Sequence, residues 1–130
     1  MTESERLIRL GYDAWNRGDW RAMEQLLTPD FVVDATDRVL NPATYSGSAG
    51  FRRMADEMFE IWESWLIEPA EFIERAGEVF VEHVIKARGK GSGVQLERTY
   101  WSVWTIRDRK ASKLALYMDR DRALAAIGRW

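Results

Sequence analysis

One side chain in this sequence has the chemistry of an acid–base catalyst, and it is the single histidine, His83. It stands in the stretch Val79–Arg88, where apolar and polar residues alternate with the period of a β-strand. The alternation assigns Val81, Ile85 and Ala87 to the same face as His83, so we predict that the histidine points into an apolar interior. An imidazole titrates near neutral pH and can take and return a proton there. The alternative interpretation is a core histidine hydrogen-bonded to a hydroxyl or a carbonyl.

Composition excludes several other kinds of chemistry. The chain contains no cysteine, which rules out disulfides, thiolate catalysis and cysteine zinc sites, and a single histidine rules out a histidine-rich metal site. We therefore expect neither a metal nor an organic cofactor. The 19 basic and 21 acidic residues are interspersed without a basic stripe, so we do not expect nucleic acid as a partner.

Length and hydropathy predict one small domain that spans residues 1–130. No apolar stretch approaches the roughly 18 residues that a membrane span needs, so we expect no membrane partner. Residues Met1–Arg6 are polar and acidic and do not have the pattern of a secretory signal. The expected location is therefore the cytoplasm.

The first half of the chain has the pattern of three helices and one short strand. Thr2 and Glu5 have the spacing of a capping box, and the first helix then carries two apolar stripes, one containing Leu10 and the other Trp15. Further predicted features are Gly18 as a left-handed cap, a second helix capped by Asp19 and stopped by Thr28–Asp30, a strand over Phe31–Ala35, and a loop over Thr36–Gly47. The third predicted helix has the apolar row Phe51, Met54, Met58, Trp62 and Trp65.

The second half has the pattern of four strands and one short helix. The strands are predicted over Leu66–Ala76, Val79–Arg88, Val94–Arg107 and Ser112–Met118, and the helix over Arg120–Ile127. Consecutive strands joined by short turns form an antiparallel sheet, and helices that precede them pack on one of its faces. The predicted class is α+β.

These elements, taken in order, resemble a known family. The matching segments are Tyr12–Asp19, Leu27–Phe31, Tyr45–Gly47, Trp104–Asp108 and Tyr117–Asp119. Together they are similar to SnoaL-like members of the nuclear-transport-factor-2-like superfamily, which includes ketosteroid isomerases, polyketide cyclases and limonene-epoxide hydrolases. The resemblance implies a curved antiparallel sheet wrapped around the N-terminal helices, in a cone-shaped fold with a central pocket.

The catalytic carboxylates of these relatives are missing from this sequence. Limonene-epoxide hydrolases carry an arginine between two aspartates. The resemblance places His83 at the position of the arginine, and Ile85 and Leu116 at the positions of the two aspartates. The tyrosine and asparagine of those enzymes fall near Val33 and Ala35, and the ketosteroid isomerase base also falls near Ala35. The nearest acids are Asp34, which alternation places on the opposite face, and Asp37 in the predicted loop, where Arg38 and Asn41 are further candidates.

The family register also implies which residues surround His83. It turns Arg98, Tyr100, Ser102 and Trp104 toward the pocket, with Leu116 from the last strand. The predicted catalytic set is His83 as the base, with Tyr100 or Arg98 stabilising an oxyanion. Arg98 has an alternative interpretation as an exposed charge on a strand. The predicted substrate-binding residues are Val33, Met58, Trp62, Val81, Ile85, Ser102 and Leu116.

Three functions are consistent with this pattern. The first is a cofactor-independent lyase, isomerase or cyclase that uses His83 on an apolar substrate. The second is a binding protein that holds an apolar metabolite without changing it. The third is an interaction module that uses the outer, solvent-facing side of the sheet, with Trp101 as its anchor. The residues predicted on this side include Thr99, Trp101, Val103 and Thr105. We expect a homodimer through the sheet in each case.

Overall fold

The N-terminal helix supplies the surface that covers the sheet. The computed structural model describes residues 1–38 and 42–128, and its first element is α1, Glu3–Asn16. The Thr2 side chain accepts a hydrogen bond from the Glu5 amide at 3.1 Å, as the capping box predicted. The buried face contains Ile8, Tyr12 and Trp15, whereas Leu10 is 51% exposed. The two stripes together predicted a helix covered on more than one side, and at Leu10 this prediction was wrong.

A second helix and two strands follow α1. Helix α2, Trp20–Gln25, is capped by Asp19, as predicted. Strand β1 covers Leu27–Ala35 and begins earlier than predicted, with an irregular register in the part that includes Pro29. Strand β2, Ala43–Ser46, pairs antiparallel with β1 inside the segment that was predicted to be a loop. Asn41, a candidate in that loop, lies outside the described residues.

The third helix ends earlier than its apolar row suggested. Helix α3 covers Gly47–Ile61, and Trp62 already begins strand β3, Trp62–Arg75. Trp62 and Trp65 belong to this strand rather than to the helix, and their rings are 5.5 Å apart. Tertiary contacts explain the difference, because β3 pairs with the next strand from Trp62 onward and the Trp65 carbonyl accepts a hydrogen bond from the Trp15 indole.

Three long strands complete the sheet. Their bounds are Glu78–Gly89 for β4, Gln95–Arg107 for β5 and Lys110–Tyr117 for β6. The strand order is β2-β1-β6-β5-β4-β3. Every pairing is antiparallel except that of β1 with β6, which is parallel. The four consecutive strands are antiparallel, as predicted. The parallel pairing joins a strand from the first half of the chain to the last strand, and short turns between consecutive strands could not predict it.

Helices lie on both faces of this sheet. Helices α1, α2 and α3 pack on the face that carries His83, which we call the inner face. Helix α4, Arg120–Ala126, packs on the opposite, outer face, where Ala123 and Ile127 contact Phe80 and Val103. Val103 is 3% exposed, so the predicted exposure of this residue on the outer face was wrong.

The inner helices are fixed to the sheet at its edge and at its centre. At the edge, the Asn16 amide donates to the Ile67 carbonyl and accepts from the Ile67 amide, both at 2.8 Å. The Asn16 side chain thereby forms hydrogen bonds with backbone groups at the free edge of β3, which are not paired with another strand. At the centre, Tyr12 contacts Trp104 of β5. None of the described helices is long and apolar enough to cross a membrane.

Candidate functional site

His83 lies at the centre of the inner face. Its side chain is 4% exposed and lies between those of Val81 and Ile85, which are also buried. Tyr100 is its direct partner on β5. The alternation in the sequence therefore predicted the direction of this side chain correctly.

A short hydrogen bond joins His83 to a serine on the neighbouring strand. The distance between His83 Nε2 and Ser102 Oγ is 2.6 Å, and both side chains are buried. Ser102 pairs directly with Val81 and is therefore the diagonal neighbour of His83. This contact gives the imidazole one hydrogen-bond partner inside an otherwise apolar layer.

Tyr12 of helix α1 extends this contact into a relay that sequence reasoning missed. Its ring centroid is 5.9 Å from that of His83. Its hydroxyl oxygen accepts a hydrogen bond from Trp104 Nε1 at 3.0 Å. The Ser102 side chain lies beside it and opposes the rise in the pKa of Tyr12 that burial causes. One polar atom on the buried stripe of α1 was the available signal, because a buried hydroxyl requires a partner.

The direction of the hydrogen bonds determines where the imidazole proton lies. An indole N–H can only donate, so the Tyr12 oxygen accepts from Trp104. The bond between His83 Nε2 and Ser102 Oγ has two arrangements, because a serine hydroxyl can donate or accept and either ring nitrogen can carry the hydrogen of a neutral imidazole. If Nε2 donates, Nδ1 is an acceptor. In the arrangement in which Ser102 donates to Nε2, the hydrogen of the neutral imidazole lies on Nδ1.

Nδ1 is the unsatisfied end of this relay. Among the described residues, every other buried side-chain nitrogen or oxygen atom has a hydrogen-bond partner, and His83 Nδ1 has none. Buried polar atoms are almost always paired, and those that are not frequently mark a functional site. The arrangement offers one N–H donor to a molecule that approaches the inner face.

The electrostatic environment keeps His83 neutral. Burial lowers the pKa of His83 to about 4, and the negative charge of Glu82 opposes this only in part. Glu82 lies on the outer face, where it bonds to Trp101 and Arg120. Burial also raises the pKa of the Tyr12 hydroxyl. At pH 7 both groups are uncharged and can form hydrogen bonds without a charge in the core.

The other two predicted catalytic residues lie toward the rim of the inner face. Tyr100 is half-buried opposite His83, and Arg98 is exposed opposite Ile85. The Arg98 guanidinium lies 5.5 Å from the centroid of the Tyr100 ring. The three residues therefore form a row on one face, with His83 as its buried end and Arg98 as its exposed end.

The predicted substrate-binding residues divide into three groups. Val33, Val81 and Ile85 are packed in the core, and Ser102 belongs to the relay. Leu116 and Met58 are half-buried and pack against the core. Trp62 is not brought near His83. It pairs with Gly89, whereas Pro69 of the same strand pairs with His83, a separation of roughly 20 Å along the strand.

The acids that the sequence offered as substitutes are used elsewhere. Asp37 accepts hydrogen bonds from the Met118 amide and from two nitrogens of Arg122, which fixes α4 against β1. The Arg122 guanidinium holds the pKa of the Asp37 carboxyl below its ordinary value. Asp34 accepts from Thr36. Among residues 1–38 and 42–128, no cluster of acids and histidine has the arrangement of a metal site.

A groove of about 470 Å³ lies away from His83. It lies on the outer face of β3, β4 and β5, where Leu66, Lys86 and Glu97 are among its lining residues. Its remaining lining residues are Ser64, Ala87, Arg88, Gln95 and Leu96. This groove is not the central pocket that the resemblance implied, which stays a prediction.

Solved structures with the same architecture have been crystallised with small molecules. TerC, co-crystallised with polyporic acid, is 19% identical over 97% of this chain and 98% of its own, with a TM-score of 0.80. Rv0760c from Mycobacterium tuberculosis, in complex with estradiol-17β-hemisuccinate, is 12% identical over 93% of this chain and 97% of its own, with a TM-score of 0.78. At these identities the likeness shows the fold alone.

Two further comparisons concern the superfamily and the family. A nuclear-transport-factor-2-like protein of unknown function from Burkholderia pseudomallei is 18% identical over 98% of both chains, with a TM-score of 0.80. Residues 8–114 match the SnoaL-like domain. No curated protein sequence matches the chain.

Proposed function

Since the chain belongs to the SnoaL-like domain family of the nuclear-transport-factor-2-like superfamily, we propose that it binds a small, mostly apolar molecule against the inner face of its sheet. The molecule carries an oxygen that accepts a hydrogen bond from His83 Nδ1. The unpartnered, buried Nδ1 is the observation that carries this proposal. The small molecules bound by TerC and Rv0760c support it, since both proteins share the architecture.

Tyr100 and Leu116 supply the apolar contacts next to this donor. Both are half-buried and lie on the same face as His83, Tyr100 as its cross-strand partner and Leu116 as the partner of Ser102. A ring placed against them would displace water and leave its oxygen near Nδ1. Small-molecule sites generally combine apolar walls with a few fixed polar groups in this way.

Two probes of nearly equal shape test the role of the donor. Acetophenone carries a carbonyl oxygen where α-methylstyrene carries a methylene group, so the pair differs mainly in its ability to accept a hydrogen bond. We expect acetophenone to bind the wild type more tightly in an NMR titration, by about fivefold, and the difference to vanish in His83→Phe. Absence of binding by both probes, or a preference that survives in the variant, would overturn the proposal.

Catalysis is a second candidate function, and the row formed by His83, Tyr100 and Arg98 favours it. A neutral imidazole that donates from Nδ1 polarises a carbonyl and stabilises the enolate that forms when hydroxide from the solvent removes an α-proton and becomes water. With a pKa of about 4, His83 is a weaker base than the sequence suggested. In this second candidate function, His83 acts as a hydrogen-bond donor and not as the base, in an isomerase-type or cyclase-type reaction.

Deuterium exchange separates catalysis from binding. The acetyl protons of acetophenone exchange slowly in D₂O, and a catalytic site accelerates that exchange. We expect acceleration by the wild type and not by His83→Phe. Equal exchange with the two proteins would leave binding as the only function of the site.

We also propose that the chain forms a homodimer through the outer face. Trp101 is not the anchor that the sequence suggested, because its indole N–H already bonds to Glu82 and its ring packs beside α4. Leu66, at 42% exposure beside the groove, is the better candidate. Lys86 and Glu97 stand opposite each other nearby and supply charges of both signs, as a self-complementary contact requires. A cytoplasmic location stays a prediction.

A further inference from the structure

Arg98 differs from the nearby Lys86 of β4 in what surrounds it. On the outer face, Lys86 stands opposite Glu97 and forms a 3.1 Å ion pair with Glu68. Arg98 has Ile85 as its cross-strand partner, and Leu96 and Tyr100 are its neighbours along the same face of β5. Among the described residues it forms no ion pair. Its surroundings are those of a cation placed beside an apolar surface.

The guanidinium is directed along the strand rather than away from it. Its carbon lies 5.5 Å from the centroid of the Tyr100 ring. Tyr100 stands directly opposite His83, whose Nδ1 is buried without a partner. Residues i and i+2 of a strand are about 7 Å apart. A molecule that covers Tyr100 would therefore reach Nδ1 at one end and Arg98 at the other.

From this placement we infer that the ligand is an anion: an apolar body with an oxygen acceptor at its buried end and a carboxylate at its exposed end. The inference rests on the proposed function, because it assigns the second end of the same molecule. Arginine binds a carboxylate through two parallel N–H groups, and the aromatic ring beneath it restricts the guanidinium plane. The apolar neighbours leave the ligand as the source of the opposing charge.

Two further probes test the charge of the ligand separately from its binding. 4-Acetylbenzoate is ionised at pH 7.5, whereas methyl 4-acetylbenzoate has the same ring and ketone without the charge. We expect the acid to bind the wild type about fivefold more tightly than the ester at low ionic strength. The preference should disappear in Arg98→Gln, which should bind acid and ester with similar affinity.

Arg88→Gln is the matched control, because it removes an exposed strand arginine that lies on the outer face and is paired with Glu63. It should retain the preference for the acid, which excludes an effect of net charge alone. Equal binding of acid and ester to the wild type, or a preference that survives Arg98→Gln, would overturn this inference and leave the proposed function standing. Failure of both acid and ester to bind would overturn the proposed function and this inference with it.

Discussion

The side chains of His83 and Ser102 are joined at 2.6 Å across two neighbouring strands, in the buried layer between the sheet and helix α1. Ser102 also lies beside Tyr12, whose oxygen accepts from Trp104, so this contact belongs to a relay of polar side chains on β4, β5 and α1. The contact occupies Nε2, and we propose that Ser102 is its donor, which leaves the imidazole hydrogen on Nδ1.

The first prediction concerns the pH dependence of stability. The pKa of His83 is lowered by burial to about 4, from an ordinary value of 6.5 that applies in the unfolded chain. The unfolded state therefore binds the proton more readily, and the stabilisation is complete above pH 6.5 and is lost as the pH falls toward 4. The loss should be about 3 kcal/mol in the free energy of unfolding.

The matched measurement uses His83→Phe. Other groups, including Asp34 and Asp37 with their lowered pKa values, also titrate in acid, so the informative quantity is the difference between the two proteins. Denaturant unfolding from pH 7.5 to pH 4 should show the wild type losing more stability than the variant. Parallel curves would mean that His83 is not buried in solution.

The second prediction concerns the middle of the relay. Tyr12→Phe removes the acceptor for Trp104 Nε1 while keeping the ring. Leaving a buried indole N–H unpaired should cost about 1 to 3 kcal/mol of stability. A double-mutant cycle with Trp104→Phe checks the mechanism. The two effects should be clearly non-additive, and additive effects would contradict a direct bond.

The alternation of residues predicted the direction of His83, but Tyr12 could not be assigned in the same way. Helix α1 carries two apolar stripes, and the choice between Leu10 and the buried stripe depends on how the helix is rotated against the sheet. That rotation is determined by long-range contacts, such as the bonds from Asn16 to Ile67. Local periodicity contains no information about them.

The ends of elements were less predictable for the same reason. The spacing of Met58, Trp62 and Trp65 continues a helical row, yet pairing with β4 makes Trp62 the first residue of a strand. The parallel pairing of β1 with β6 joins parts of the chain that are about 80 residues apart.

The third prediction concerns the edge of the sheet. Asn16→Ala removes both hydrogen bonds to Ile67 and exposes backbone groups of β3. Because the site is exposed and water can replace the side chain, the cost should be only about 1 kcal/mol. Amide hydrogen exchange should accelerate at Ile67 specifically. Unchanged protection of the Ile67 amide would show that the Asn16 side chain does not bond to β3 in solution.

The fourth prediction concerns the oligomeric state. Light scattering should give twice the chain mass of 15.2 kDa at micromolar concentration. Leu66→Glu should shift the protein toward the monomer, because it places a charge in the proposed contact. Leu10→Glu is the control, since Leu10 is equally accessible but lies on α1. A monomeric wild type, or the same shift in both variants, would contradict the proposed interface.

The proton on His83 tests the central claim most directly, and a single histidine makes its signal unambiguous. In protein labelled with ¹⁵N-histidine, long-range proton–nitrogen correlation at pH 7 distinguishes a protonated Nδ1 from a protonated Nε2. We predict a neutral ring with the hydrogen on Nδ1, and a downfield shift of that hydrogen when acetophenone is added. A hydrogen on Nε2, a charged ring, or an Nδ1 signal unmoved by a probe that binds would contradict the account.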